Sequence, residues 1–168
     1  YYFMGDFMDF FDLHCDTLTE CMDDGDSLLK NERDIDFERG SIFGRWNQVF
    51  AVFVPDSMDD SLVEGYFDSA CNFYFDELKK KGDVFPILSS EDVRGHSRGV
   101  MLAMESSRGV GSLERLEKLY ERGLRLITLT WNHKNRAAGG CDEGGGLTDW
   151  GRELVSKRSE ERRVGKEC

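Results

Sequence analysis

The sequence predicts an α/β fold built on a parallel sheet, and three observations carry that reading. Short apolar runs at 46–54, 100–104 and 124–130 read as strands, and the near-continuous β-branched and aromatic run at 46–54 suits a strand buried on both faces. Between them, 61–81 and 112–122 carry apolar residues at helical spacing. Strands alternating with helices imply right-handed crossovers and parallel neighbours. Length then bounds the architecture. The 168 residues suffice for one domain with a core, but fall short of the roughly 250 that a complete (β/α)8 barrel typically needs.

Each element has its own signal. Residues 10–16 (FFDLHCD) alternate, so a regular strand would put Phe11, Leu13 and Cys15 on one face and Asp12, His14 and Asp16 on the other. Residues 46–54 (WNQVFAVFV) read as a strand that stops at Pro55-Asp56. The helix over 61–81 presents Leu62, Tyr66, Phe67, Ala70, Phe73, Tyr74 and Leu78; Ser61 is its expected N-cap, with Glu64 as the capping-box acid. Its basic end, Lys79-Lys80-Lys81, and the following Gly82 suit a helix C-terminus. Residues 84–88 (VFPIL) are short and extended, and 100–104 (VMLAM) form a strand stopping at Glu105. The helix over 112–122 turns Leu113, Leu116, Leu119 and Tyr120 to the core and ends at Gly123. Residues 124–130 (LRLITLT) are the next strand, 137–147 (AAGGCDEGGGL) a glycine-rich loop, and Thr148 caps a last helix.

Composition excludes several function classes. A net charge of −11 repels phosphate backbones and anionic lipid, so neither nucleic acid nor a membrane surface is an expected partner. No apolar stretch approaches the roughly 18–20 residues that span a bilayer. The first residues show no basic n-region and no apolar h-region, so no signal peptide is expected, and Met4 or Met8 is the expected start. The five cysteines are scattered, without a CxxC pair, which suits reduced thiols in a cytoplasm.

The chemistry concentrates at strand ends. His14 and Asp16, two apart on a strand, can approach one metal ion together, and zinc accepts imidazole nitrogen and carboxylate oxygen at about 2.0–2.2 Å. The plain alternative is a half-exposed strand with a polar outer face. Glu105, directly after an apolar strand, is a natural bridging partner, since two metals held close need an anion between them; an ordinary loop acid is the alternative. At the end of the next strand, Trp131 can wall a pocket and Asn132 can orient a substrate amide or carboxylate. His133 reads as an exposed loop residue, and His96 has no evident partner. The glycines at 139–146 lack the spacing and the Lys-Ser/Thr of a phosphate loop, so a flexible loop beside the site is expected.

These residues resemble a known family. Asp12-Leu13-His14-Cys15-Asp16-Thr17-Leu18 is similar to the first-strand signature of the membrane (renal) dipeptidase family of zinc metallopeptidases, amidohydrolase-like barrels. Residues 100–105 resemble the strand that bears the bridging glutamate, and 116–130 and 146–155 resemble the segments that follow. The resemblance covers most of 10–157 and is nearest to the shorter, unsecreted bacterial members. It implies a (β/α)8 TIM-type barrel of which this chain supplies the N-terminal half. It implies two zinc ions, with His14 and Asp16 on one and Glu105 bridging the pair, and a metal-bound hydroxide attacking the dipeptide carbonyl. It also implies a bacterial cytoplasmic location and leaves a homodimeric parent open. Two departures stand out: Ser106-Ser107 replace a common Gly-Gly, and Trp131 stands where some members carry a substrate-binding histidine.

The family's two other histidine ligands and its acid/base aspartate lie further along, so 1–157 is expected to be an incomplete barrel with no acid/base residue of its own and negligible activity. A non-catalytic fragment and another metal-dependent barrel hydrolase are the competing readings. Residues 158–168 resemble the in-frame translation of a sequencing adapter and are expected to be a non-native tail; a natural solvated charge run is the alternative.

Overall fold

The computed structural model describes the backbone of residues 8–164 and the side chains of residues 8–159. The strands are β1 (Asp9–Cys15), β2 (Arg45–Phe53), β3 (Phe85–Pro86), β4 (Arg98–Glu105) and β5 (Leu124–Thr128). They form one sheet in which every pairing is parallel, as the alternating pattern requires. β1 pairs β2 and β2 pairs β4. Along the other side of β4, β3 lies beside Gly99 and Val100, and β5 beside Leu102 to Glu105. The helices are α1 (Thr17–Asp24), α2 (Phe37–Gly40), α3 (Asp60–Lys81), α4 (Asp92–Gly95), α5 (Leu113–Glu121) and α6 (Asp149–Val164), with a 3-10 turn at Ser107–Val110.

Alternation along β2 and β4 sorts the core into two unequal layers. Trp46, Phe50 and Val52, with Val100, Leu102 and Met104, pack against helix residues such as Leu18, Phe67, Tyr74, Leu116 and Leu154. The opposite face holds a small cluster of strand residues only: Val49, Ala51 and Ala103, with Met101 against them. Sheet residues on both faces of β2 are buried, as its near-continuous apolar run predicts. The apolar alternation in 10–16 behaves differently: Phe11 and Leu13 are exposed, Leu13 by 65%. β1 pairs only β2 among the described residues, which leave its outer edge without a strand partner.

Several boundaries shift for identifiable reasons. α3 is capped by Asp59, whose carboxylate accepts the Ser61 N–H at 2.8 Å, and not by Ser61. Asp59 sits in extended backbone one residue before the helix, where a short carboxylate reaches the free amides of the first turn. Glu64 therefore makes no capping box and pairs with Arg115 at 3.4 Å. The caps expected of Ser112 and Thr148 are present: Ser112 Oγ accepts from Arg115 N at 3.1 Å, and Thr148 Oγ1 from Gly151 N at 3.0 Å. α1, α2 and α4 have no counterpart in the sequence reading; two of them are four residues long, too short for periodicity to register. α6 runs on to Val164, so the segment expected to be a tail begins within it; side chains from 160 and all of 165–168 lie outside the described residues.

Gly40 shows how tightly the helix-side layer is built. A Cβ there would stand 2.4–2.7 Å from the buried Trp46 ring. Overpacking of this kind costs about 1–3 kcal/mol, more than the roughly 0.5–1 kcal/mol that alanine gains over glycine in a helix. Gly40→Ala should therefore lower the urea midpoint; an unchanged midpoint would show that the ring has room to yield.

Candidate metal centre

The chain's chemistry gathers where β1 and β4 end on either side of β2. β1 starts in register with β2, Asp12 opposite Gln48, but Cys15 lies opposite Phe50. Three residues of β1 thus advance against two of β2. Paired residues in a parallel sheet share a face, and a one-residue slip moves every later side chain to the other face. Before the slip Asp12 shares the helix-side row of Gln48; after it Cys15 shares the helix-side row of Phe50. His14, next to Cys15, is consequently turned to the opposite face, with Ala51, Ala103 and Glu105. The sequence-based expectation that Asp12, His14 and Asp16 share one face is corrected here: regular alternation assumes an unbroken ladder, and this ladder is broken.

On that face three side chains converge. His14 Nε2 lies 3.4 Å from Asp16 Oδ1 and 3.4 Å from Glu105 Oε2, and one donor atom of each residue lies within 4.8 Å of the other two. These distances discriminate between two arrangements. Charge-assisted N–H···O bonds run about 2.7–2.9 Å, so both contacts are long for hydrogen bonds. Two donors each about 2.0–2.1 Å from one ion at a tetrahedral angle stand about 3.3–3.4 Å apart. One imidazole and two carboxylates at that spacing fit a zinc-type divalent cation. Among the described residues this is the one His/Cys/Asp/Glu group so arranged.

Electrostatics separates the three. His14 and Asp16 have side chains nearly half exposed, whereas Glu105 is 14% exposed. Burial raises the Glu105 carboxyl above the usual carboxylate range; the His14 imidazole pulls it back and the Asp16 charge pushes it up further. A cation at this point would relieve both acids. Cys15, between His14 and Asp16, is no competitor for a metal. It packs into the helix-side core, and burial pushes its thiol up to about 12.

The backbone after Glu105 is strained. Ser106 has φ 78° and ψ 117° and is buried, the one non-glycine residue with positive φ among those described. Here the sequence departs from the Gly-Gly of the family it resembles, and the geometry shows what glycine would serve. Asn135 holds the turn: its Nδ2 donates to Leu129 O at 2.7 Å and reaches Ser106 Oγ at 3.3 Å, while its Oδ1 accepts from Ala137 N at 2.8 Å. Sequence reasoning missed Asn135, because an asparagine in a loop carries no periodic signal.

The other expected residues are placed as follows. Trp131 packs edge-on against Phe53, ring centroids 5.0 Å apart, and Phe53 is the register partner of Glu105. Asn132 lies beside the glycine-rich loop, its Oδ1 3.5 Å from Cys141 Sγ. His133 pairs with Glu143 at 3.2 Å and His96 stacks on Phe85; neither is among the three converging donors. The glycine-rich loop, expected to be flexible, closes on itself through an Ala138–Leu147 bridge and a Gly144 N to Gly140 O bond of 2.9 Å. A Cβ at Gly139 or Gly140 would stand about 2 Å from backbone oxygen, so these glycines serve close chain packing.

Comparison with known proteins follows the same line. The family model described as membrane dipeptidase (peptidase family M19) matches residues 5–161. Among solved structures, the metallopeptidase dipeptidase AC of family M19 superposes with TM-score 0.74 at 16% identity, over 89% of this chain and 54% of its own. A probable dipeptidase, PvdM, from Pseudomonas aeruginosa gives 0.71 at 15%, over 90% and 44%. An amidohydrolase from Pseudomonas aeruginosa gives 0.57 at 17%, over 71% and 36%. The chain thus spans about half, or less, of the length of these structures. No curated protein matches it.

Strain at Ser106 makes a direct prediction. A residue held at such a φ costs on the order of 1–3 kcal/mol, against the roughly 0.5–1 kcal/mol of extra unfolded-state freedom that glycine brings. Ser106→Gly should raise stability by about 1 kcal/mol in urea unfolding; a loss of stability would show that the Ser106 hydroxyl outweighs the strain.

Proposed function

The chain belongs to the membrane dipeptidase family, and from that premise we propose that it is the N-terminal part of a zinc-dependent dipeptidase whose His14, Asp16 and Glu105 hold the metal. The observation that carries the reading is the pair of 3.4 Å separations from His14 Nε2 to the two carboxylates, longer than charge-assisted hydrogen bonds usually run and matching donors that share an ion. Two zinc ions would fit with Glu105 between them, because its second oxygen remains for a neighbouring cation. Zinc so held supplies Lewis acidity at a scissile carbonyl and lowers the pKa of water.

The chain's own residues set the surroundings. Partial burial of Glu105 keeps the carboxylate poorly solvated, which strengthens its hold on a cation. Phe53 and Trp131 present an aromatic wall beside it, able to exclude water and to take an apolar side chain of a dipeptide. Asn132 Nδ2 makes no hydrogen bond among the described residues, and it can donate to a substrate carboxylate. The described helices include none long and apolar enough to cross a membrane. The parent's remaining ligands and its acid/base residue belong to the part of the barrel that this chain does not span, and the chain alone is proposed to be inactive.

Calorimetric titration of the chelator-treated chain with zinc tests the site. A saturable isotherm is expected, lost in His14→Ala and weakened in Asp16→Asn and Glu105→Gln; binding that survives His14→Ala would overturn the assignment. Zinc-loaded chain incubated with dipeptides should show no turnover above buffer, whereas a full-length parent should hydrolyse them and lose that activity in its own His14→Ala variant. Chelator-sensitive turnover by the 168-residue chain would contradict the inactive-fragment reading.

A further inference from the structure

We propose that Asp12 is a positioning residue that, with Gln48, clamps the slip in β1 and so keeps His14 turned toward Glu105. The proposal rests on the metal-binding reading above for what His14 does there; its geometry requires no ion. Asp12 lies on the helix side of the sheet, opposite Gln48, and is not a third ligand of the strand. Its carboxylate instead spans the slip. Oδ1 accepts the backbone N–H of His14 at 3.3 Å, and Oδ2 accepts Gln48 Nε2 at 3.0 Å.

Both residue types suit this task. An aspartate side chain reaches the backbone N–H two residues on, and its two oxygens serve two donors at once. Bulged residues fall out of the ladder, so the His14 amide needs a local acceptor. Gln48 is the more telling partner. It is fully buried in the row of Trp46, Phe50 and Val52, where an apolar side chain would pack without penalty. Its Oε1 is buried with no hydrogen-bond partner among the described residues, an arrangement that costs about 1–3 kcal/mol. Its Nε2 is fully used, donating to Asp12 and, at 3.1 Å, to Val49 O. Packing does not account for an amide here; its donor to Asp12 does. Without that hold, pairing continued in the register of Asp12 with Gln48 would set His14 opposite Phe50, on the helix side and away from Glu105.

The test compares Asp12→Ala, Asp12→Asn and Gln48→Met in the 168-residue chain, with three readouts. In metal-free protein, nuclear Overhauser contacts between the His14 ring and the Glu105 side chain report its orientation. Zinc affinity is measured by competition with a chromophoric chelator, and stability by urea. Asp12→Ala and Gln48→Met should lose the contacts and bind zinc about 10-fold more weakly or worse, as loss of an orienting partner does at other metal sites. Asp12→Asn keeps an acceptor for His14 N–H and should fall between. Gln48→Met should show these losses with a urea midpoint no lower than wild type, because it removes the unpaired oxygen; a merely structural role would move stability and orientation together. Should Asp12→Ala fail to fold, Gln48→Met decides. Retained contacts and a Kd within about twofold of wild type in Gln48→Met overturn the proposal. If the contacts depend on Asp12 while wild type binds no zinc, the positioning role stands and the metal reading falls.

Discussion

A one-residue slip in the pairing of β1 with β2 decides which side of the sheet His14 occupies, and the rest of the site depends on it. Glu105 is fixed by an unbroken ladder: β2 and β4 pair residue for residue from Trp46–Arg98 to Phe53–Glu105. Side chains at that end of β4 have no freedom to search for partners. The donor on β1 must be brought to them, and in a period-two structure the only move available to a strand is to gain or lose one residue. The slip converts FDLHCD from a strand with three acids and bases on one face into one that splits them. Asp12 goes to the helix side, His14 to the Glu105 side.

The two faces of the sheet carry different burdens. The helix side holds nearly all of the buried apolar side chains, from Trp46 to Leu154, and accounts for why these residues fold. The other face holds a small apolar cluster of three buried residues and one methionine, and around the β1–β2–β4 junction the chain departs from what stability alone would choose. Ser106 is strained, Glu105 is pushed toward its neutral form by burial, and Gln48 keeps an unpaired oxygen in an apolar row. Such departures concentrate where a fold serves something besides its own stability, and all three lie within or next to the β1–β2–β4 junction.

Much of the architecture was legible in the sequence. Long apolar runs and a strong helical period placed β2, β4, β5, α3 and α5, because burial imposes those periods directly. His14, Asp16 and Glu105 were legible as residue types at strand ends, and the structure brings them together. The slip was not legible. FFDLHCD alternates regularly, and nothing in one strand's pattern reveals how it registers against another. Phe11 and Leu13 differ in the same way: their alternation implies a buried face, yet they are exposed where β1 has no second strand partner among the described residues. Asn135 and Phe53 escaped notice because a loop amide and the last residue of an apolar run look like any others. Asp59 was passed over for Ser61 because both are good caps, and only backbone geometry separates them.

Family membership rests on sequence similarity over 5–161, and the proposed metal ligands rest on the donor geometry around His14. The position of a bound cation therefore decides whether these residues form a metal site. The most direct measurement is anomalous diffraction at the zinc edge from crystals of the chain soaked in zinc. A peak is expected within about 2.0–2.2 Å of His14 Nε2 and of oxygens from Asp16 and Glu105. Full zinc occupancy at other residues, with His14 still paired to bare carboxylates, would contradict it.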